Sequence, residues 1–138
     1  HVVFTLASGQ TVTFNDPRRF GLMDLIARDG LDAHPALCEL GPEPLSAEFG
    51  AAALARACHR KKVAIKVALL DQKVVAGVGN IYASEALHVA GISPKRKAAI
   101  LATRTGAPRP AAVKLAAAIV KVLTRAIDTP ASRFKVYE

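Results

Sequence analysis

Between Leu69 and Ile92 the chain reads LLDQKVVAGVGNIYASEALHVAGI, and this stretch leaves little choice of local structure. An apolar, helix-like run ends at Asp71-Gln72, a glycine-bearing turn VAGVG follows, and a second helical run opens at Asn80. Glycine has no Cβ, so Gly77 and Gly79 are expected to turn through positive φ and to let another molecule come close to the backbone. Asn80 is of a type that favours helix capping. The unpaired N–H groups at such a helix start carry partial positive charge and suit an anion. Two helices joined by an anion-receptive elbow are therefore the unit that the rest of the chain has to support.

Charge narrows the choice of anion. Nineteen Lys and Arg against eleven Asp and Glu leave +8 on 138 residues. That balance favours a polyanion such as nucleic acid, the plainer alternative being a basic protein with a solvated surface. With 51% hydrophobic residues, the chain can fill one ordinary domain or parts of two small ones. Cys38 and Cys58 lie 20 residues apart without CxxC or CxxH spacing, and read as buried free thiols of a cytosolic protein, with neither a disulfide nor a metal site expected. No apolar run approaches the ~18 residues of a membrane span, and HVVFTLASGQ lacks the layout of a signal peptide. No membrane partner is expected.

Taken from the N-terminus, residues 1–7 and 10–14 alternate apolar and polar around Ser8-Gly9, which predicts a β-hairpin. Val2, Phe4 and Leu6 would share one face, with Val12 and Phe14 beside them. Two strands alone are marginal, so further strands are expected from a segment outside this chain. Asn15-Asp16-Pro17-Arg18-Arg19-Phe20-Gly21 then reads as a loop. Its arginines suit phosphates or base edges, and its phenylalanine suits a wedge between bases. Equally, Phe20 could pack inward with the arginines solvated. Gly21 to Ala27 is expected to return as a strand, and 28–45 to form a linker broken by Asp29-Gly30, His34-Pro35 and Gly41-Pro42-Glu43-Pro44.

From Ser46, expected as an N-cap, the pattern turns helical, with an apolar stripe of Phe49, Ala53, Leu54 and Ala57 and a basic end at His59-Arg60-Lys61-Lys62. The next helix, Val63 to Leu70, is expected to bury Val63, Val67 and Leu70, setting Lys66 beside an apolar surface where its stem could snorkel. After the elbow, Ile81, Ala86, Leu87 and Val89 would face the core, and Gly91 would end the helix. Tyr82 could lean toward phosphates or pack with its hydroxyl free. Glu85, of the wrong charge for a polyanion, is expected to be paired within the domain. Pro110 to about Ile127 should form a long scaffold helix buried along Val113, Ala117, Val120 and Leu123-Thr124.

Five ordered stretches, DPRRFG, LGPEPLS, KKVAIK, DQKVVAGVGNIYASEAL and GISP, resemble the bacterial formamidopyrimidine-DNA glycosylase family with its helix–two-turns–helix element. The resemblance implies an α+β fold, the C-terminal strands of a β-sandwich followed by a mainly α-helical helix–two-turns–helix domain. It divides the chain into residues 1–27 as the partial β-sandwich, 28–45 as linker, 46–128 as the DNA-binding domain and 129–138 as the lead-in to a zinc finger. It implies DNA contacts from Arg18, Arg19, Phe20, Lys66, Gly79, Asn80 and Tyr82. Arg18 would fill the gap left by an extruded base, Phe20 would wedge beside it, and Lys66 would reach the damaged strand.

The implied partner is double-stranded DNA carrying an oxidised purine or an abasic site, bound by a monomer in the bacterial cytoplasm at the nucleoid. The family removes 8-oxoguanine and formamidopyrimidines, then nicks the abasic site by β/δ-elimination. Its nucleophile is an N-terminal proline amine with an adjacent glutamate. This sequence starts His1-Val2-Val3, so no catalytic residue is expected in the chain, and the family's zinc, held by a C-terminal finger, is expected outside it. The rival reading is a non-catalytic, stand-alone DNA-binding module on the same scaffold.

Overall fold

A computed structural model describes residues 2–128. It is mainly helical with one small sheet: β1 (Val2–Thr5), β2 (Thr11–Phe14), α1 (Ala51–Cys58), α2 (Ile65–Leu70), α3 (Asn80–Ala90) and α4 (Pro110–Asp128), with 3-10 segments at Arg28–Ala33 and Ala98–Leu101. The chain divides into two units, His1–His34 and Pro35–Glu138.

In the first unit, β1 and β2 pair antiparallel in the register Val2↔Phe14 and Phe4↔Val12, so the expected shared face is present. Leu6 and Gln10 close the hairpin by a 2.8 Å backbone bond, and Gly9 turns at φ +80. The sheet has two strands among the described residues. The expected strand from Gly21 to Ala27 does not form. A strand needs a ladder partner, and none is offered to it here; Leu22 and Leu25 are left exposed.

The second unit holds the core. Leu54, Ala55 and Cys58 of α1 pack with Ile65, Ala68 and Leu69 of α2, Ala83, Ala86 and Leu87 of α3, and Ala112, Leu115, Ala116, Ala118 and Ile119 of α4. Alanine is the best helix former and lets helices approach closely, and α1 and α4 are rich in it. Pro110 takes the first position of α4, where a missing N–H costs nothing. Of the two cysteines expected to be buried only Cys58 is; Cys38 lies exposed. Burial raises the Cys58 thiol to about 11, because the thiolate would lose its hydration.

Several expectations shift along the helices. Ser46 does not cap a helix; its hydroxyl donates back to the Glu43 carbonyl at 2.8 Å, and α1 begins five residues later. In α2 the buried face is Ile65, Ala68 and Leu69, while Val63, Val67 and Leu70 are exposed. With only six residues, α2 is positioned by its neighbours: the Ile65 N–H donates to the Arg96 carbonyl at 2.7 Å. In α3, Ala86 and Leu87 are buried as expected, joined by Ala83, whereas Ile81 and Val89 face outward. In α4 the stripe is Leu115, Ala116, Ile119 and Val122 rather than Val113, Ala117, Val120 and Thr124, which are exposed, with Leu123 packed at its edge. Both stripes have helical spacing, and apolar residues on either side left the phase of the helix open. The end of α3 is as expected. Gly91 is left-handed, its N–H donates to His88 at 3.0 Å, and the next N–H, of Ile92, reaches back to Leu87 at 2.9 Å.

Candidate nucleic-acid interface

The elbow between α2 and α3 is built from buried valines and a clamped backbone. Val74, Val75 and Val78 are buried, which anchors the turn and leaves Gly77, Gly79 and Asn80 outside. Gly77 turns at φ +75 as expected, while Gly79 is extended at φ −99. Asn80 is not the N-cap: Gly79 holds that position, Asn80 is the first helical residue, and no side chain caps the helix. The Gly79 carbonyl accepts the Ala83 N–H at 2.9 Å and starts the α3 ladder. An α-helix leaves its first N–H groups without intrahelical partners, and here they open at an exposed glycine-asparagine corner.

Gln72, which sequence reasoning passed over, closes this corner. Its Oε1 accepts the Gly77 N–H at 2.7 Å, and its Nε2 donates to the carbonyls of Leu70 at 3.2 Å and Val78 at 3.3 Å. Asp71 supports it from the α2 side. One carboxylate oxygen accepts the Lys73 N–H at 3.0 Å and the other pairs with Lys61 at 3.1 Å. The Lys73 N–H first, then Lys61, hold the Asp71 carboxyl below its ordinary range. The Leu40-Gly41-Pro42 passage lies directly on the turn. The Gly41 N–H donates to the Gln72 carbonyl at 2.8 Å, and the Ala76 N–H donates to the Pro42 carbonyl at 3.2 Å. A Cβ on Gly41 would stand 2.7 Å from the Lys73 carbonyl oxygen, so only glycine fits without movement. Glu39 pairs with Lys73 beside it. A D-Q pair followed by two glycines was the available signal for such a clamped turn.

Lys66 lies in the first turn of α2, half-buried on a cleft of about 330 Å³ that Ser84, His88, Ser93 and Pro94 also line. Tyr82 lies in the first turn of α3, half-buried between two further clefts, one with Arg125 and Ala126, the other with Leu45 and Gly77. Glu85 is exposed and makes no ion pair among the described residues, contrary to expectation. Lys66, Gly79, Asn80 and Tyr82 thus belong to one unit, the last three at the start of α3 and Lys66 beside the segment that follows it.

Arg18, Arg19 and Phe20 belong to the other unit, on the loop after β2. Asp16 organises this loop: its Oδ2 accepts the Gly21 N–H at 2.6 Å and its carbonyl accepts the Arg19 N–H at 3.3 Å. Gly21 lies so near the Phe14 ring that a Cβ would come within 2.6 Å of it. Arg19 is left-handed at φ 57, a conformation unusual for a residue with a side chain. Phe20 is 80% exposed, and the Arg18 guanidinium sits over its ring at 4.8 Å. Phe20 therefore does not pack inward. A cation–π pair on an exposed loop keeps the two side chains together as one projecting unit.

Residues 40–138 match the formamidopyrimidine-DNA glycosylase H2TH domain. Over 135 residues the chain is 58% identical to a formamidopyrimidine-DNA glycosylase of Azorhizobium caulinodans, covering 98% of this chain and 46% of that protein. The chain thus spans a little under half the length of this relative. Among solved structures it resembles the MutM (Fpg) protein of Thermus thermophilus, with a TM-score of 0.74 at 41% identity over 88% of this chain and 43% of that one. It also resembles a Lactococcus lactis Fpg mutant in complex with DNA containing Fapy-dG, with a TM-score of 0.78 at 29% identity, covering 99% of this chain and 48% of that one.

Proposed function

Because the chain belongs to the formamidopyrimidine-DNA glycosylase H2TH domain family, we propose that it grips and probes damaged duplex DNA in bacterial base-excision repair. One observation carries this reading: an uncapped, solvent-facing α3 N-terminus at Gly79-Asn80, held rigid by Gln72 and Gly41 in a domain of high positive charge. Backbone N–H groups aimed outward at a fixed corner suit a phosphate oxygen, whatever the base sequence. Tyr82, in the first turn of α3, and Lys66, at the start of α2 beside Pro94, would contact the phosphate rail or the lesion strand.

The projecting pair on the first unit fits a different task. Phe20 would wedge into the base stack and Arg18 would bond the base left without a partner, with Arg19 bracing the loop. In this reading residues 1–27 close a β-sandwich, 28–45 connect it, 46–128 carry the duplex and 129–138 lead toward a zinc finger. That last stretch lies outside the described residues. The substrate class is double-stranded DNA bearing an oxidised purine or an abasic site, met by a monomer at the nucleoid. No helix of the described residues is long and apolar enough to cross a membrane.

Glycosylase and β/δ-elimination chemistry belongs, in this proposal, to the whole protein, with the Schiff-base amine supplied from outside the 138 residues. No residue of this chain is given a catalytic role. Among the described residues no three His, Cys, Asp or Glu side chains converge on a metal site, and Cys58 is buried in the core, so the zinc implied by the family has no fitting ligand set here.

The test is a salt titration of duplex binding. If ~4–6 phosphates are neutralised, log affinity falls against log salt with a slope of about −4 to −5. A flat response would sink the DNA assignment. Borohydride trapping on abasic DNA is expected to leave this chain unmodified, and a covalent adduct would show that it carries the nucleophile after all.

A further inference from the structure

Between α1 and α2, and again after α3, the chain runs in two extended segments that the structure zips together. Ala64 and Lys97 pair across an isolated antiparallel bridge. Around it, the Lys66 N–H donates to Pro94 at 3.3 Å and the Ile65 N–H to Arg96 at 2.7 Å. The Ala98 N–H donates to Val63 at 2.9 Å and the Ala99 N–H to Lys61 at 3.0 Å. This zipper brings together two basic runs, 61–62 and 95–97, that lie more than thirty positions apart in sequence.

Lys62, Lys95, Arg96 and Lys97 are exposed, and none forms an ion pair among the described residues. The sequence holds no Asp or Glu from 50 to 70, and none from 86 to 127. Lys61 makes the contrast, since Asp71 neutralises it. Exposed like charges closer than a Debye length of ~10 Å repel one another, and among the described residues no ion pair offsets these four. Their positions are also fixed by backbone bonds rather than by flexible side chains, which suits a rigid, repeating anion.

We propose that Lys62, Lys95, Arg96 and Lys97 form a second phosphate-binding surface that engages duplex flanking the segment held at the α3 corner. This rests on the reading that the chain binds DNA. The surface lengthens the footprint without reading sequence, because a lysine meets a phosphate as a point charge.

Two tests separate this inference from its premise. The full chain carrying Lys95→Ala, Arg96→Ala and Lys97→Ala is titrated with salt on an undamaged duplex of about one helical turn and on one of about three. Losing three phosphate contacts should flatten the slope by about 2 to 3 on the long duplex and hardly at all on the short one. Lys62→Ala, on the opposite segment, should flatten it by about 1 on the long duplex only. Lys95→Arg with Lys97→Arg should keep the wild-type slope. Asn80→Ala should weaken both duplexes alike. A triple variant that keeps the wild-type slope on the long duplex overturns the second surface while DNA binding stands, and so does equal flattening on both duplexes. A wild-type chain with no salt-dependent binding overturns the premise and this surface with it.

Discussion

The two units of this protein are stabilised in opposite ways. Among residues 2–34 no side chain is buried, and order comes from a short ladder, an Asp16 clamp and a ring stacked under a guanidinium. In the second unit every helix contributes buried residues, and the elbow is fastened to that core by three valines. The difference teaches how one chain can divide its labour. A corner that must present N–H groups at fixed positions sits on packed helices. The Arg18–Phe20 loop, proposed above as the probe of the base stack, projects from a surface with little to hold it.

The largest effects should break this contrast if it is false. Leu115→Ala removes a fully buried side chain from the interior of α4 and is expected to cost about 3 to 4 kcal/mol. Leu25→Ala, at a position 97% exposed, should stay within about 0.5 kcal/mol. Urea unfolding followed by far-ultraviolet dichroism measures both. Comparable losses would mean that residues 2–34 have a core of their own.

Next comes a pH effect confined to the packed unit. Burial lifts Cys58 from an ordinary 9.0 to about 11. The folded state therefore holds this proton more tightly than the unfolded chain. The resulting stability is complete below pH 9 and is lost as pH rises toward 11, up to about 2 to 3 kcal/mol. Cys58→Ala should lower stability at neutral pH yet remove this alkaline component. Identical alkaline slopes for both proteins would place the thiol in contact with water. Asp71 works in the other direction at the elbow. Its carboxyl is held low by the Lys73 N–H and Lys61, so its contribution is present above the ordinary carboxylate range and fades as acid protonates it.

A smaller loss is expected where packing meets the elbow. Gly41→Ala would push a methyl group into the Lys73–Val74 backbone, costing about 2 kcal/mol and shifting the turn. Duplex affinity, measured under conditions where the variant stays folded, should fall with it. Unchanged affinity would show that the α3 corner is independent of the Leu40–Pro42 buttress.

How much of this was legible beforehand depended on the kind of interaction. The hairpin, the Gly77 turn, the Gly91 helix end and Pro110 were readable because each rests on the local conformational habit of one or two residues. The buried faces of α2 and α4 were misread, since both carry apolar residues around much of the cylinder and only tertiary packing selects the inner face. Asn80 looked like a cap because its type caps well. Glycine holds that position instead, its extended backbone needing no side-chain bond. Gln72 was harder to read: the D-Q pair before two glycines hints at a clamped turn, but its three hydrogen bonds exist only after the turn has closed.

The smallest expected change in stability carries the sharpest test of the comparison. Arg18 and Phe20 touch each other and little else: the ring is 80% exposed and the pair is a surface cation–π contact worth about 0.5 to 1 kcal/mol. Arg18→Ala and Phe20→Ala should therefore leave the unfolding midpoint nearly where it was. If the loop probes base pairs, the same variants should lose discrimination between damaged and intact duplex, because unstacking a base costs a few kcal/mol that the wedge helps supply. Asn80→Ala should do the converse, weakening both duplexes by a similar factor and leaving their ratio alone. Fluorescence anisotropy on matched duplexes, with and without an abasic site, separates the two patterns. Should Phe20→Ala instead weaken both duplexes equally, the loop would be one more phosphate contact, and the division between a rigid grip and a projecting probe would fall.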